Sequence, residues 1–117
     1  MTATGQNFEV YRNKDKIIVV QTFDENGAPQ PITGSTLLWL AYRKTTGEIV
    51  LIKSNTPPYS GIAITDADMG LFEITLTQAD TDSLVANMYF HECELTDFSG
   101  FATSILTGIM SVQESKT

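Results

Sequence analysis

The sequence is poor in the two residue types that most often build cross-links and metal sites. It has one cysteine, Cys93, and one histidine, His91. A single cysteine cannot form a disulfide within the chain, so a disulfide-stabilised small fold is excluded. A zinc site needs more ligands than one histidine and one cysteine, and these two residues cannot supply a full constellation of nucleophile, base and metal. We therefore interpret both residues as buried core and predict no enzyme, no catalytic residue, no cofactor and no metal site.

Basic residues and long apolar runs are scarce as well. Seven Lys and Arg stand against fourteen Asp and Glu, which gives a formal net charge of −7. Scattered cations in an acidic chain argue against a nucleic-acid partner. No apolar run approaches the roughly 20 residues of a membrane-spanning helix, and the start, MTATGQN, lacks the features of a signal peptide. We expect no membrane partner and synthesis in the cytoplasm.

The stretch from Gly70 to Val112 carries the clearest structural signal. Its apolar residues repeat with period two between Gly, Asp and Ser, which predicts three strands. Thr77 and Asp80 have the spacing of a capping box, so one short helical turn is predicted near residues 78–84. The predicted buried faces of the three strands are Phe72, Ile74 and Leu76; Tyr89, His91, Cys93 and Leu95; and Leu106, Gly108, Met110 and Val112.

The rest of the chain repeats this pattern of short strands and turns. It predicts about seven to nine strands in all, which is typical of an all-β antiparallel sandwich. With 117 residues, of which 42% are hydrophobic, the chain is long enough for one core and too short for two. We place a flexible N-terminal arm at residues 1–7, the sandwich at 8–113 and a tail at 114–117.

Acidic turns are the remaining places where polar chemistry is conceivable. Asp66-x-Asp68-x-Gly70 resembles part of a calcium loop, but a third oxygen ligand is missing and Thr77 stands where such a loop ends in Glu. Asp80 and Asp82 lie on the predicted capped turn. Spacing alone leaves open a carboxylate pair for glycoside hydrolysis. Solvated turns explain all these residues without a bound metal, and we adopt that interpretation.

The segment from Thr36 to Lys44 is apolar on both faces, which a simple sandwich does not explain. If Leu37, Trp39 and Ala41 point into the core, then Leu38, Leu40 and Tyr42 point outward. We predict that Leu38, Leu40 and Tyr42 form a subunit interface, since exposed apolar groups that adjoin each other usually mark contacts. A cover from residues 1–7 or from the Pro57-Pro58 loop is the alternative. Trp39 and Tyr42 lie on opposite faces, which disfavours a sugar-stacking platform.

Turn and strand residues from Phe8 to Gln113 carry a family resemblance. They are Asp15, Asn26-Gly27-x-Pro29, Ile32-Thr33-Gly34, Gly61-Ile62-x-Ile64, Gly70-x-Phe72-x-Ile74-x-Leu76-Thr77, Asp80-Thr81-x-x-Leu84, Tyr89, Asp97-x-x-Gly100 and Gly108-x-Met110-x-Val112. In these positions the chain resembles the immunoglobulin-like domains of tailed-phage structural proteins, especially the N-terminal domain of baseplate upper proteins and related head-fibre and tail-adaptor modules. Asn87 departs from the glycine that such domains often have before the Tyr.

This resemblance implies an immunoglobulin-like sandwich and a non-enzymatic role in a virion. The implied places are a baseplate, a neck or tail adaptor, a head fibre or a capsid decoration. The implied partners are other virion structural proteins and further copies of the chain, with a trimer favoured. A carbohydrate-binding or adhesive immunoglobulin-like module is the alternative function.

Overall fold

Two β-sheets face each other and enclose one core. The computed structural model describes residues 2–3 and 6–116, with side chains from Gln6 onward. Within these residues the helix α1 spans Gln78–Asp82. The strands are β1 (Thr2–Ala3), β2 (Phe8–Tyr11), β3 (Lys16–Phe23), β4 (Thr36–Arg43), β5 (Ile49–Ser54), β6 (Ile62–Asp66), β7 (Leu71–Leu76), β8 (Asn87–Thr96) and β9 (Ala102–Gln113). The predicted all-β sandwich with one short helix is confirmed.

The strand order is that of an immunoglobulin-like sandwich. One sheet has the order β1-β3-β7-β6, and the other has the order β2-β9-β8-β4-β5. Strand β2 runs parallel to β9, whereas the other strand pairs are antiparallel. The Tyr89 hydroxyl donates a hydrogen bond of 2.7 Å to the carbonyl of Val85 just before β8, and Trp39 of β4 is buried. A tyrosine at this corner and a buried tryptophan on this strand are hallmarks of immunoglobulin domains.

Alternation along each strand builds the core. Successive side chains of a strand point to opposite faces, so every second residue meets the facing sheet. On β4 these residues are Leu37, Trp39 and Ala41, all fully buried as predicted. Full burial of one large apolar side chain stabilises a fold by about 1.5–3 kcal/mol. The faces predicted within Gly70–Val112 are confirmed except at Gly108, which is half-buried, because the other members are all buried: Phe72, Ile74, Leu76, Tyr89, His91, Cys93, Leu95, Leu106, Met110 and Val112.

Helix α1 begins at the predicted capping box. The Thr77 hydroxyl accepts a hydrogen bond from the Asp80 amide, and the Asp80 carboxylate accepts one of 2.8 Å from the Thr77 amide. Lys53 of β5 donates to the same carboxylate at 2.7 Å. Burial raises the pKa of Asp80, but the hydrogen bonds from Lys53 and Thr77 outweigh burial and hold this pKa below its ordinary value. The helix is thereby fastened to β5 at the end where β7 passes to β8.

The N-terminal segment contributes to both sheets. Residues Thr2–Ala3 pair with β3, and β2 then pairs with β9 in the opposite sheet. Between these strands, the carbonyl of Gln6 accepts a hydrogen bond from His91, and the side chain of Asn7 accepts one from the amide of Ile109. No alternation or turn pattern predicts strand β1, which spans two residues. The flexibility predicted for residues 1–7 stays a prediction, and Met1, Thr4 and Gly5 lie outside the described residues.

The end of the chain has a partner as well. Arg12, in the turn after β2, donates to Glu114 at 2.9 Å, and its guanidinium lies 3.7 Å from Asp82 of α1. These ion pairs are partly exposed, so each contributes little to stability. They place the start of the predicted tail beside the turn after β2. Thr117 lies outside the described residues.

Candidate interaction surfaces

The buried polar pair of the core joins strands β4 and β8. The indole N–H of Trp39 donates a hydrogen bond of 3.1 Å to Nδ1 of His91. Because Nδ1 accepts this bond, the proton of the neutral ring is on Nε2, which donates to the carbonyl of Gln6. Phe8 packs edge-on against the same imidazole, with ring centroids 4.8 Å apart. Both ring nitrogens are therefore used in structural bonds.

His91 makes the stability of the domain depend on pH. Burial lowers the pKa of His91, and this effect outweighs the hydrogen bond to Gln6, which raises it. As the pH falls below about 6.5, His91 therefore takes up a proton in the unfolded chain, whereas in the folded chain it takes one up only at a lower pH. We expect the free energy of unfolding to be highest above pH 6.5 and to fall as the pH drops from 7 to 5. Urea unfolding followed by circular dichroism at each pH measures this.

The matched control for this prediction is His91→Gln. The chain has one histidine, so the variant has no imidazole that titrates in this range. We expect it to be less stable than the parent at pH 7 and to show a flatter dependence between pH 7 and 5. An equal slope in both proteins would contradict the assignment.

The thiol of Cys93 belongs to the core, as predicted. Burial raises its pKa to about 12, with a further contribution from the charge of Glu94. A thiol needs its thiolate form to act as a nucleophile or as a metal ligand. Among residues 2–3 and 6–116, the structure shows no cluster of three or more His, Cys, Asp or Glu able to hold a metal. Cys93 is accordingly a packed side chain.

The acidic turns use their carboxylates to hold the backbone. Asp66 accepts a hydrogen bond from the amide of Met69 at 3.3 Å. Gly70 has φ of 69°, and a Cβ there would overlap Thr22 and Gln30. The glycine is therefore required by a tight turn and a close approach. Asp80 is occupied by the helix cap, so the turn interpretation accounts for it too.

The outer face of the five-stranded sheet contains the predicted interface residues. Leu38, Leu40 and Tyr42 point away from the core and are half-buried. In register with them on β8 lie Glu94, Glu92 and Phe90, and Ile52 of β5 lies opposite Leu40. The rings of Tyr42 and Phe90 are tilted by 57° with centroids 5.8 Å apart. Neighbours within the same sheet thus give these residues part of their cover, and their use as an interface stays a prediction.

A second apolar surface is at the tip of the β8–β9 hairpin, and the sequence analysis did not identify it. Phe98 is 87% exposed and Phe101 is 69% exposed. Asp97 holds the turn, because its carboxylate accepts hydrogen bonds from the amides of Ser99 and Phe101 at 2.9 and 3.0 Å. The Ser99 hydroxyl donates a further hydrogen bond of 2.6 Å to the same carboxylate. This bond has the largest effect, and together the hydrogen bonds lower the pKa of Asp97. Two phenylalanines within a polar hairpin turn were the available signal.

The sandwich as a whole is similar to other solved structures. No family model and no curated protein matches the chain. CopC from Methylosinus trichosporium OB3b superposes with a TM-score of 0.54 at 12% sequence identity, over 100% of this chain and 94% of that one. A chain from a structure on T cell specificity and activation by the bacterial superantigen toxic shock syndrome toxin-1 gives 0.56 at 12% identity, over 95% and 96%.

Identity this low carries information about the fold alone. In residues 2–3 and 6–116, no helix is long and apolar enough to cross a bilayer. The strand order, the tyrosine corner, the buried tryptophan and these superpositions agree on one conclusion. The chain is an immunoglobulin-like β-sandwich.

Proposed function

We propose that this protein is a non-enzymatic structural component of a tailed-phage virion. It acts by self-association, with a trimer favoured, and by docking onto other virion proteins of a baseplate, neck, tail adaptor, head fibre or capsid. The place of action is the virion, after synthesis in the host cytoplasm. The observation that carries this proposal is the apolar outer face formed by Leu38, Leu40 and Tyr42 of β4.

The position of this face suits an assembly contact. Strand β4 lies between β8 and β5, so its backbone is paired on both sides. A partner would therefore meet side chains held by a rigid sheet and not an open strand edge. Preorganised side chains bind at a lower entropic cost than mobile loops do. Glu92 and Glu94 border the face, so among the proposed docking partners a virion protein that brings positive charge to the rim is favoured.

The resemblance to phage modules supports the virion role. The glycines among the matching turn positions, Gly27, Gly34, Gly61, Gly70 and Gly100, all have positive φ. They are the residues that this backbone requires at those turns. The match thus follows the turns of the sandwich from one end of the domain to the other.

Replacing Leu40 with aspartate tests the contact face. We expect Leu40→Asp to lower the assembled mass seen by size-exclusion chromatography with light scattering, because a charge in an apolar interface must be desolvated without a partner. The control is Val19→Asp, which adds the same charge at an exposed position of β3 on the four-stranded sheet, away from this face. A strict monomer at high concentration, unaltered by either change, would contradict self-association through this face.

The virion assignment has its own test. Mass spectrometry of purified phage particles should detect the protein in fixed stoichiometry with capsid or tail proteins. Its absence from particles that are produced while the gene is expressed would overturn the virion role. That outcome would leave the β4 contact face intact as a separate result.

The alternative function is an adhesive or carbohydrate-binding module. The exposed rings of Phe98 and Phe101 favour an adhesive tip, since binding residues often lie on loops at one end of an immunoglobulin sandwich. Trp39 is fully buried and bonded to His91, so it is unavailable for stacking on a sugar. Binding of the wild-type protein on a glycan array would favour this alternative over the assembly role.

A further inference from the structure

The end of the sandwich that carries the β8–β9 hairpin is uniformly acidic. The connection from β3 to β4, the turn from β6 to β7 and the hairpin meet there, because Thr36 of β4 pairs with Thr96 of β8 and Gln21 of β3 pairs with Leu71 of β7. The carboxylates of this end are Asp24, Glu25, Asp66, Asp68 and Asp97. In the described part of the chain, these connections contain no Lys or Arg. The exposed rings of Phe98 and Phe101 stand among these carboxylates, and we call this surface the acidic tip.

The basic residues gather at the opposite end. Arg12, Lys14 and Lys16 lie in or beside the β2–β3 turn, and Arg43 and Lys44 lie at the β4–β5 hairpin. Lys116 follows β9 at the same end. The carboxylates near these six cations, outside the pair of Lys53 with Asp80, are the five of Glu9, Asp15, Glu48, Asp82 and Glu114. Cations outnumber carboxylates here, although the chain as a whole has a net charge of −7.

A cavity of about 300 Å³ opens at this basic end. Its lining residues are Arg43, Lys44, Thr45, Asn87, Met88 and Tyr89. This volume is at the lower limit of sites that enclose small organic ligands, so it has room for a phenyl ring. Met88 is 50% exposed and supplies an apolar wall, while Lys44 supplies positive charge and Arg43 adds a guanidinium whose Nε lies 3.8 Å from Glu48. We call this cavity the basic socket.

The aromatic contacts of the basic socket show how a ring would be held. The Arg43 guanidinium carbon lies 5.9 Å from the centroid of Tyr89, and Lys44 Nζ lies 5.3 Å from the centroid of Phe90. Cations at such distances attract the face of an aromatic ring. An entering phenylalanine would therefore meet two cations already placed beside aromatic rings. Carboxylates that flank the same phenylalanine would come close to those cations.

We infer that the acidic tip of one copy of this chain docks into the basic socket of a second copy. Phe98 is the inserted group because it is the more exposed ring, and Asp97, Asp24 and Glu25 face Lys44 and Arg43 across the contact. Both surfaces are present on every copy, so the contact is heterologous, and repeated contacts give a ring or a filament. The contact uses neither Leu38, Leu40 nor Tyr42, so it goes beyond the face proposed above.

The domain is elongated, so the acidic tip and the basic socket are well separated within one copy. The principal extents are 42, 29 and 28 Å. At about 0.1 M salt charges farther apart than roughly 10 Å hardly interact, so the tip and the socket act as separate surfaces. Groups brought together in a contact are screened much less than distant ones. Local attraction between the ends therefore operates despite the net negative charge of each copy.

Two complementary variants test the heterologous contact. The tip variant carries Phe98→Ser with Phe101→Ser, and the socket variant carries Lys44→Glu with Met88→Thr. Biolayer interferometry then compares every pairing of immobilised and soluble protein at 0.1 M salt. We expect the soluble tip variant to bind the immobilised socket variant, because one partner keeps an intact socket and the other an intact tip. We expect each variant to bind its own kind at least about tenfold more weakly.

The pattern of binding decides the outcome. Equal binding in all pairings, or binding in none, would overturn the inference. The control is Val19→Thr on the four-stranded sheet. Val19 is about as exposed as Met88, and this variant should bind as the wild type does. Circular dichroism establishes that each variant is folded. We also expect the cross-pairing to weaken at 0.5 M salt, which an apolar contact through β4 would not do.

Failure of this inference is separable from failure of the proposed function. Leu40→Asp changes no residue of the tip or the socket, and the tip variant changes no residue in contact with Leu38, Leu40 or Tyr42. The tip variant is therefore used for this comparison, because Lys44 of the socket packs on Phe90, which packs on Tyr42. A loss of mass with Leu40→Asp but not with the tip variant would support the β4 contact and overturn the end-to-end contact. The reverse result would support end-to-end docking and contradict self-association through β4.

Discussion

Trp39→Ala should lower the free energy of unfolding by about 3–5 kcal/mol, the usual cost of removing a buried large aromatic side chain. Trp39 is fully buried on β4, an interior strand of the five-stranded sheet, and its indole N–H donates a hydrogen bond to His91. The substitution leaves a cavity and also leaves Nδ1 of His91 without its donor. Small domains have unfolding free energies of about 5–15 kcal/mol, so much of the stability is at stake. Urea unfolding followed by far-ultraviolet circular dichroism measures the effect. Tryptophan fluorescence is not usable, because Trp39 is the only tryptophan of the sequence and the variant lacks it.

Two further substitutions separate packing from hydrogen bonding at this position. Trp39→Phe keeps most of the apolar contact but removes the donor, and we expect a loss of about 1–3 kcal/mol from the unpaired Nδ1. Leu40→Ala alters the neighbouring residue on the half-buried outer face and should cost less than Trp39→Ala. A cost of Trp39→Ala no greater than that of Leu40→Ala would contradict the assignment of Trp39 to the centre of the core.

Gly108→Ala should detach the N-terminal segment from the sheet. A Cβ at Gly108 would overlap the backbone carbonyl of Gln6 and press on Nε2 of His91. The segment must then move, and the His91 Nε2 donor loses its acceptor inside the protein. An orphaned buried donor costs about 1–3 kcal/mol. We expect lower stability in urea and faster hydrogen exchange at the amide of Ile109, which now donates to Asn7.

A truncated protein provides the control for Gly108. Removal of residues 1–6 takes away the Gln6 carbonyl, so Gly108→Ala should cost less in the truncated protein than in the full chain. The difference between the two costs is the coupling between the positions, as in a double-mutant cycle. Equal costs in both backgrounds would show that Gly108 is required for a reason other than the passage of Gln6.

Local signals were sufficient to predict most of the sandwich. Period-two alternation assigned Leu37, Trp39 and Ala41 to the core and Leu38, Leu40 and Tyr42 to the outer face, and the structure agrees. The capping box at Thr77 and the hairpin turn at Asp97 were visible because their bonds join residues a few positions apart. These features depend on near neighbours in sequence, which a single sequence displays directly.

Features that depend on distant pairing could not be found in this way. Strand β2 pairs with β9 about a hundred residues later in the chain, and nothing in Phe8–Tyr11 specifies a parallel partner. The bond between Trp39 and His91 likewise requires the register of β4 against β8. Gly108 looked like one more member of an alternating strand until Gln6 was placed beside it. Turn and alternation patterns do not contain this information.

Of the candidate surfaces, only the one formed by a single strand could be predicted from the sequence. The outer face of β4 could be predicted because apolar residues on both faces of one strand are visible in the sequence. The acidic tip could not, because the carboxylates around Phe98 come from three separate connections that only the fold brings together. The basic socket combines two such segments, from the β4–β5 hairpin and the start of β8. Surfaces assembled from several loops require the topology first.

The parallel pairing of β2 with β9 has a mechanical consequence. Strand β9 is the last strand, β2 follows the two-residue strand β1, and the β2–β9 ladder joins Phe8 to Met110 and Tyr11 to Gln113. A pulling force applied between the start of β2 and the end of β9 draws β2 backward and β9 forward along the same line. The ladder bonds are then loaded together in shear, whereas an antiparallel terminal pair would open one bond at a time. The β2–β9 ladder should therefore resist tension between these two strands better than an antiparallel ladder of the same length would.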